Sequence, residues 1–266
     1  MNKNFWHKHG HTVIIYVFLA ALMVFVSIFN KDFFTLGNFK NLLRSSFPLL
    51  MAALGQTLII LTGGIDLSLG GIVALCNVVC VLSMNPDSAW GFVPALGAAA
   101  VVGLACGAVN GVLVTKGRLA PIIVTIATTA VFDGMALLLM PNPGGSVHKA
   151  FAKFLTRGYS GAVPFLLFIL ILCLVRSLAN STPYGKALRA IGGSENAAYS
   201  TGIRVGRIKF WAYCLAGLLC AVAGIFLSAQ MNSADATIGK NYAMNAITAT
   251  VVGGTAMTGA VGDPLG

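Results

Sequence analysis

Eight apolar runs, each close to the length of a membrane-spanning helix, constrain this chain of 266 residues more than any other feature. A helix rises about 1.5 Å per residue, so it needs about 20 largely apolar residues to cross the hydrocarbon core of a bilayer. We therefore predict an all-α, polytopic membrane protein with about eight transmembrane or broken helices. The candidate spans are residues 12–29, 46–63, 67–84, 92–115, 119–140, 162–180, 209–231 and 241–258.

Two places in this pattern predict interrupted helices. The second and third runs are short and meet at residues 62–66 (TGGID), a glycine-rich segment of the kind that breaks a helix. The eighth run is diluted by four polar residues, Asn241, Asn245, Thr248 and Thr250. We expect this last run to be weak, re-entrant or broken.

The composition excludes the other broad classes of protein. Apolar residues make up 57% of the chain and charged residues only 9%, whereas soluble domains carry roughly a quarter charged residues. A water-soluble globule cannot cover so much apolar surface, and intrinsic disorder needs low hydrophobicity and high charge. The net charge of +10 does not indicate nucleic-acid binding, because the cations lie between the apolar runs.

The positions of the 17 cations favour a cytoplasmic N-terminus. If the spans alternate from that start, ten cations fall on the cytoplasmic side and seven on the outer side, a modest bias in the direction of the positive-inside rule. The cytoplasmic ten are Lys3, Lys8, Lys116, Arg118, Arg176, Lys186, Arg189, Arg204, Arg207 and Lys209. This orientation predicts a basic cytoplasmic tail over residues 1–11, one transmembrane domain over 12–266, and within it a cytoplasmic loop over 181–208.

The loop over residues 181–208 is the longest polar segment and contains a predicted short helix outside the bilayer. Ser194 suits the N-cap, Glu195 is favourable in the first turn, and Gly202 suits the end of the helix. A short capped helix could fit a groove on a partner protein. From composition alone, a plain solvated loop explains the segment equally well.

A strip of glycines marks one face of the fourth span. Gly103, Gly107 and Gly111 repeat every four residues, and small strips of this kind let helices approach closely in lipid. We therefore expect tight helix packing here rather than contact with a solute. Asn110 lies within the strip, where a hydrogen bond between helices is the favoured role.

Polar residues inside the other apolar runs indicate either structural pairing or a solute pathway. Gln56 lies in mid-span and could bond to a neighbouring helix or to a polar solute. Asp66 and Ser68 lie at the break between the second and third runs, where Asp66 is expected to cap the third helix. Asp133 stands in the apolar run 128–139 and is expected to face the bundle interior, a partner cation or a wet pathway.

The sequence offers no motif for an enzyme reaction. It lacks a GxxxxGK[ST] phosphate loop, a nucleophile elbow, an HExxH motif and paired carboxylates. We expect the chain to bind no cofactor and not to hydrolyse ATP itself. His7, His9 and His11 alternate near the N-terminus, but a basic interfacial tail is favoured over a metal site because other ligands are lacking.

Four sequence blocks carry a family resemblance. The first is LTGGIDLSLG at residues 61–70, and the second is GAVNG at 107–111 with the residues that follow to Thr125. The third runs over 184–203 and the fourth is VVGGT at 251–255. In this order, across residues 33–266, they resemble permeases of bacterial ATP-binding-cassette (ABC) importers for simple sugars of the ribose, galactose and xylose type.

The resemblance implies a permease subunit in the bacterial inner membrane. Such permeases pair with a second copy or a paralogue, bind two cytoplasmic ATPase subunits that use the ATP, and receive solute from a periplasmic binding protein. The short helix of the 181–208 loop is then similar to the coupling helix that rests on the ATPase. Its docking residues would be Ser194, Glu195, Asn196, Ala197, Ala198 and Gly202, with Glu195 as the charged contact and the two alanines permitting close approach.

Some features depart from the family pattern. Asp133 stands where a basic residue is usual, and Ala243 stands where many members have Glu. Family members also continue beyond the fourth block through further spans, so we expect this chain to be truncated at its C-terminal end. Two alternatives therefore stay open: a proton-coupled secondary transporter with Asp133 as the relay, and an inactive truncated permease fragment.

Overall fold

The computed structural model of the chain is helical and describes residues 3–88 and 90–265, with residues 3–15, 159 and 160 described by their backbone alone. Within these ranges there are ten α-helices, and the only pairing of β type is an isolated bridge between Gly144 and Ala234. The helices are α1 (Lys3–Phe29), α2 (Leu36–Ile60), α3 (Leu69–Leu82), α4 (Val93–Thr115), α5 (Pro121–Leu139), α6 (Lys149–Ser181), α7 (Pro183–Gly193), α8 (Glu195–Ser200), α9 (Val205–Met231) and α10 (Tyr242–Val252).

The chain forms two compact units, residues 1–45 and 46–266. The first contains α1, whose backbone is helical from Lys3, through most of the predicted basic tail. The side chains of that tail, including His7, His9 and His11, lie outside the described residues. The second unit contains the other predicted site residues.

Among the residues whose side chains the structure describes, five helical segments are long and apolar enough to cross a membrane, which confirms a polytopic helical membrane protein. They are Leu36–Ile60, Val93–Thr115, Pro121–Leu139, Gly161–Ser181 and Val205–Met231. Three shorter apolar segments lie in the other predicted spans: helices Leu69–Leu82 and Tyr242–Val252, and Tyr16–Phe29, the part of α1 whose side chains the structure describes. The count of about eight spans therefore stays a prediction.

Several helix boundaries differ from the predicted spans. Helix α2 begins at Leu36 rather than residue 46, and α6 begins at Lys149 rather than residue 162. Hydropathy marks only the apolar part of a helix, whereas the backbone pattern continues through adjoining polar turns. Helix α10 has 11 residues, or about 16 Å at 1.5 Å per residue, so the helix within the predicted eighth run is shorter than a bilayer core.

Two glycines end helix α2 and so produce the break between α2 and α3. Gly63 adopts a left-handed backbone with φ +76°, which a residue with a side chain rarely adopts. Its N–H donates to the Ile60 carbonyl at 2.8 Å, and the Gly64 N–H donates to the Ile59 carbonyl at 3.2 Å. These bonds satisfy carbonyls that the end of the helix would leave unpaired.

Helix α3 lies at the centre of the second unit. Twelve of its 14 residues are buried, because it packs against α4, α5 and α9. A helix that is apolar on every face requires such an enclosed position. Its N-terminus, which follows the break, is thereby held inside the bundle.

The glycine strip of α4 packs against α9, as predicted. A Cβ added at Gly103 would overlap the carbonyl oxygen of Gly217, and one added at Gly107 would overlap the carbonyl of Tyr213. At Gly111 the added atom would lie 2.9 Å from the Phe210 ring. The two backbones approach so closely that the strip leaves no room for side chains.

We expect Gly107→Ala to destabilise the protein by about 1–3 kcal/mol or more, because the methyl group must push α9 away. The matched control is Gly97→Ala in the same helix, where the added Cβ meets nothing within 4 Å apart from the adjoining backbone of α4. The measurement is the thermal midpoint of each purified variant in detergent. Equal midpoints for the two variants would contradict the close approach of α4 and α9.

Candidate functional site

Four of the predicted polar residues meet in one place, which we call the polar cluster: Gln56, Asp66, Ser68 and Asn110. Gln56 projects from α2 towards the break that follows the same helix. In the amide orientation that satisfies both of its side-chain atoms, Gln56 donates to the Asp66 carbonyl at 3.0 Å and accepts from the Asp66 N–H at 3.3 Å. One side chain thus satisfies both backbone groups of a residue that lies outside any helix.

Ser68 joins the break to α4. Its hydroxyl donates to Asp66 Oδ1 at 2.6 Å and accepts from Asn110 Nδ2 at 2.7 Å. The Ser68 N–H donates to the same Asp66 oxygen at 2.7 Å. Asp66 is therefore not the N-cap that we expected for α3, because Ser68 occupies that position and Asp66 closes the turn before it.

The polar cluster is closed to solvent. Each of its four side chains is at most 1% exposed, and their partners are mainly one another. Two nearby atoms, Asn110 Oδ1 and Tyr213 Oη, are buried without a hydrogen-bond partner. In this conformation the cluster holds three segments together, and its predicted place on a solute pathway stays a prediction.

Asp133 lies apart from the polar cluster, where α5 packs on α3. Its Oδ1 is 3.1 Å from the position that a Cβ on Gly71 would take, so the carboxyl lies over a glycine. The segment after α9 runs along the same part of α3: the Asp235 N–H donates to Asn77 at 2.9 Å, and Gly239 abuts Gly70. No cation lies within 4 Å of Asp133 in the described part of the chain.

The predicted short helix of the 181–208 loop is present as α8. The Ser194 hydroxyl accepts from the Ala197 N–H at 3.3 Å, as expected of an N-cap. Gly202 ends the helix with φ +83°, and its N–H donates to the Tyr199 carbonyl at 3.0 Å. Glu195 forms an ion pair of 2.5 Å with Lys209 of α9.

The predicted docking residues do not all lie on the exposed side of α8. Ser194, Glu195, Asn196, Ala197 and Gly202 are exposed. Ala198 is buried against Ile191 and Val205, so it holds α8 to its neighbours and offers no outer surface in this conformation. We expected both alanines to permit close approach of a partner, and the structure leaves only Ala197 exposed.

Sequence reasoning missed Tyr199, whose side chain is 75% exposed on the same outer face of α8. The sequence signal for Tyr199 was its position four residues after Glu195, because residues four apart lie on the same face of a helix. Together with Arg118 and Lys209 these two residues line an open groove of about 600 Å³ between α8 and the turn that joins α4 to α5.

Sequence reasoning also missed helix α7. Thr182 caps it by accepting from the Gly185 N–H at 3.1 Å, and Pro183 occupies its first position. The sequence TPYG at 182–185 places a capping threonine directly before a proline. This pattern is typical of a helix start and could have predicted α7.

Comparison with known proteins places the chain among permeases. A family described as "Branched-chain amino acid transport system / permease component" matches residues 38–266. The ribose import permease protein RbsC of Bacillus subtilis is 40% identical over 93% of this chain and 78% of its own length. No solved structure matches the chain.

Two other relatives show similar coverage. The ribose import permease protein RbsC of Escherichia coli K12 is 34% identical over 93% of this chain and 78% of its own length. The autoinducer 2 import system permease protein LsrC of Yersinia pseudotuberculosis YPIII is 30% identical over 98% of this chain and 73% of its own length.

We expect Ser68→Ala to lower the free energy of unfolding by about 1–3 kcal/mol, because it leaves the buried Asn110 amide without its partner. The same change at Ser146, which is exposed and makes no side-chain hydrogen bond in the described structure, is the control. Thermal midpoints in detergent compare the two variants. If Ser68→Ala melts at the temperature of Ser146→Ala, the hydrogen bonds of the cluster do not support the fold.

Proposed function

The chain belongs to the permease family described as components of branched-chain amino acid transport systems, and on this premise we propose that it is the membrane subunit of an ABC importer for a monosaccharide or related small polyol. The observation that carries the proposal is the 40% identity to a ribose import permease over 93% of the chain. In this role the chain forms the translocation path and does not hydrolyse ATP. The ATP is used by partner subunits.

The chemistry of sugars supports a pathway that binds its solute weakly. Burying an unpaired hydroxyl costs about 2–7 kcal/mol, so a tight site would have to satisfy every hydroxyl of the sugar and would slow release. The side chains of the polar cluster already bond mainly to one another. We infer that these residues maintain the break in the helix, and that an external binding protein selects the sugar.

We propose that the chain lies in the bacterial plasma membrane with its N-terminus, α7 and α8 in the cytoplasm. Two short basic clusters support this orientation. The first is Lys116 and Arg118 at the α4–α5 turn, and the second is Arg204, Arg207 and Lys209 at the start of α9. Arg118 of the first and Lys209 of the second line the same groove, so both clusters lie at one end of the bundle. Positive charge at one end favours the cytoplasmic side.

We propose three kinds of partner for this subunit. A second permease copy or paralogue completes the membrane part, two ATPase subunits dock from the cytoplasm, and a periplasmic or extracellular binding protein delivers the sugar. The outer face of α8, with Glu195, Asn196 and Tyr199, is the surface we assign to the ATPase. Its exposure and its capped, well-defined backbone support this assignment.

The proposal predicts that the chain copurifies with an ATPase subunit and supports sugar uptake that needs ATP. The experiment coexpresses the chain with an ABC ATPase subunit and a sugar-binding protein from the same organism and measures uptake of labelled ribose as the probe sugar. Uptake should stop when ATP is depleted and persist when an uncoupler collapses the proton gradient. The control expresses the same set without the ATPase subunit.

Each alternative gives a different result in that experiment. Uptake that survives ATP depletion and stops with the uncoupler would identify a proton-coupled transporter instead. Assembly without uptake, together with uptake by a full-length relative under the same conditions, would identify an inactive fragment. Failure of any ATPase subunit to copurify would overturn the proposal.

Charge reversal at Glu195 should weaken docking of the ATPase. We expect Glu195→Lys to reduce the affinity for the ATPase subunit by about tenfold or more, because opposed like charges at an interface cost several kcal/mol. Lys209→Gln is the matched control, since it breaks the same ion pair within the chain but keeps the carboxylate. Binding of purified ATPase to each variant in nanodiscs is the measurement, and equal losses would show that only the internal ion pair matters.

A further inference from the structure

A junction of three backbone segments connects α7 to the break between α2 and α3. The segments are the end of α2, the end of α7 and the turn at residues 259–262 that follows α10. The Ala260 N–H donates to the Leu61 carbonyl at 3.2 Å. A Cβ added at Gly192 of α7 would overlap both the Leu61 carbonyl oxygen and the Ala260 nitrogen, so these backbones touch directly.

Glycines make this junction possible. Gly259 has φ +89°, and a Cβ added there would lie 2.9 Å from the Gly63 nitrogen and 3.0 Å from the Gly192 carbonyl oxygen. One glycine from each segment therefore meets at a single point, with no side chain between them. Such backbone contact leaves little freedom for one segment to shift without the others.

Arg189, one turn before Gly192 on α7, connects the same turn to α6 through the two terminal nitrogens of its guanidinium. One nitrogen donates to the Gly262 carbonyl at 2.6 Å and to the Ala260 carbonyl at 3.4 Å. The other nitrogen donates to the side-chain oxygen of Asn180 near the end of α6. A planar fork with several donors can satisfy these acceptors together, which a lysine ammonium cannot do with the same geometry.

A second set of contacts fixes the turn to α6. Asn180 Nδ2 donates to Asp263 at 2.8 Å, and Arg176 approaches the same carboxylate at 3.4 Å. Asn180 thus bonds to Arg189 on one side and to Asp263 on the other. The Asn180 amide therefore fixes Arg189 of α7 relative to Asp263, which follows the turn.

We propose that Arg189, Asn180 and Gly192 are positioning residues that transmit movement of the docking helix α8 to the break between α2 and α3. The inference rests on the proposed function, since it assumes that an ATPase docks on α8. Ser194 alone separates the end of α7 from the start of α8, and Leu61 lies five residues before Asp66 of the polar cluster. A contiguous chain of contacts therefore joins the docking surface to the interruption inside the bundle, and coupling through it requires an experimental test.

The test compares Arg189→Lys with Lys186→Ala, an exposed cation on the same helix. Two quantities are measured for each variant and the parent: hydrogen exchange at the Ala260 amide, and ribose transported per ATP hydrolysed by the assembled importer. We expect Arg189→Lys to raise exchange at Ala260 on the order of tenfold, as loss of a charge-assisted hydrogen bond implies. Transport per ATP should fall by roughly fivefold or more, while the ATPase still copurifies.

A glycine pair provides an independent comparison. Gly192→Ala should give the same two effects or stronger ones, because its methyl group forces the junction apart. Gly193→Ala is the control, because its added Cβ would meet only the Ala260 methyl group at 3.8 Å. Both changes occur at the end of one helix, so differences in helix propensity largely cancel.

The outcomes separate the two claims. Unchanged hydrogen exchange at Ala260 in Arg189→Lys would overturn the claim that Arg189 holds the turn at residues 259–262, whether or not an ATPase binds. Faster exchange with unchanged transport per ATP would overturn the coupling role alone. A parent chain that binds no ATPase would overturn the proposed function and the coupling role with it, while the exchange comparison would still decide whether Arg189 holds the turn.

Discussion

The interruption between α2 and α3 persists inside an apolar bundle only because other groups supply the hydrogen bonds that its backbone has lost. In a membrane, an unpaired backbone group costs several kcal/mol, since no water replaces the missing partner. Gln56 satisfies both backbone groups of Asp66, and the Ala260 N–H satisfies the Leu61 carbonyl. The positions of α3, the polar cluster and the turn after α10 all depend on this requirement.

Close backbone packing is the second condition for this architecture. Helix α4 meets α9 through Gly103 and Gly107, and the segment after α9 meets α3 where Gly239 touches Gly70. Lipid tails are as apolar as leucine, so helices in a bilayer gain stability from close contact more than from hydrophobic burial. The same small residues that permit this contact also let the irregular segment at 232–241 run against α3 instead of facing lipid.

The exposed and buried faces of the α7–α8 region explain how one segment can serve two purposes. Glu195 and Tyr199 face outward, where a partner can reach them, while Ala198 packs inward against Ile191. Arg189 holds α7 to the turn at residues 259–262. This arrangement suits the proposed docking of an ATPase on α8, because a loosely held α7 would absorb the movement that the proposed coupling transmits.

The sequence alone determined the features that depend on neighbours along the chain. Apolar runs established the membrane helices, residues 62–66 established the break, and Ser194 with Gly202 established the ends of α8. Only the tertiary structure decided that Ser68 bonds to Asn110, 42 residues away, or that Arg189 reaches Gly262, 73 residues away. Hydropathy and capping act over a few residues, whereas the partner of a buried polar group depends on which helices pack together.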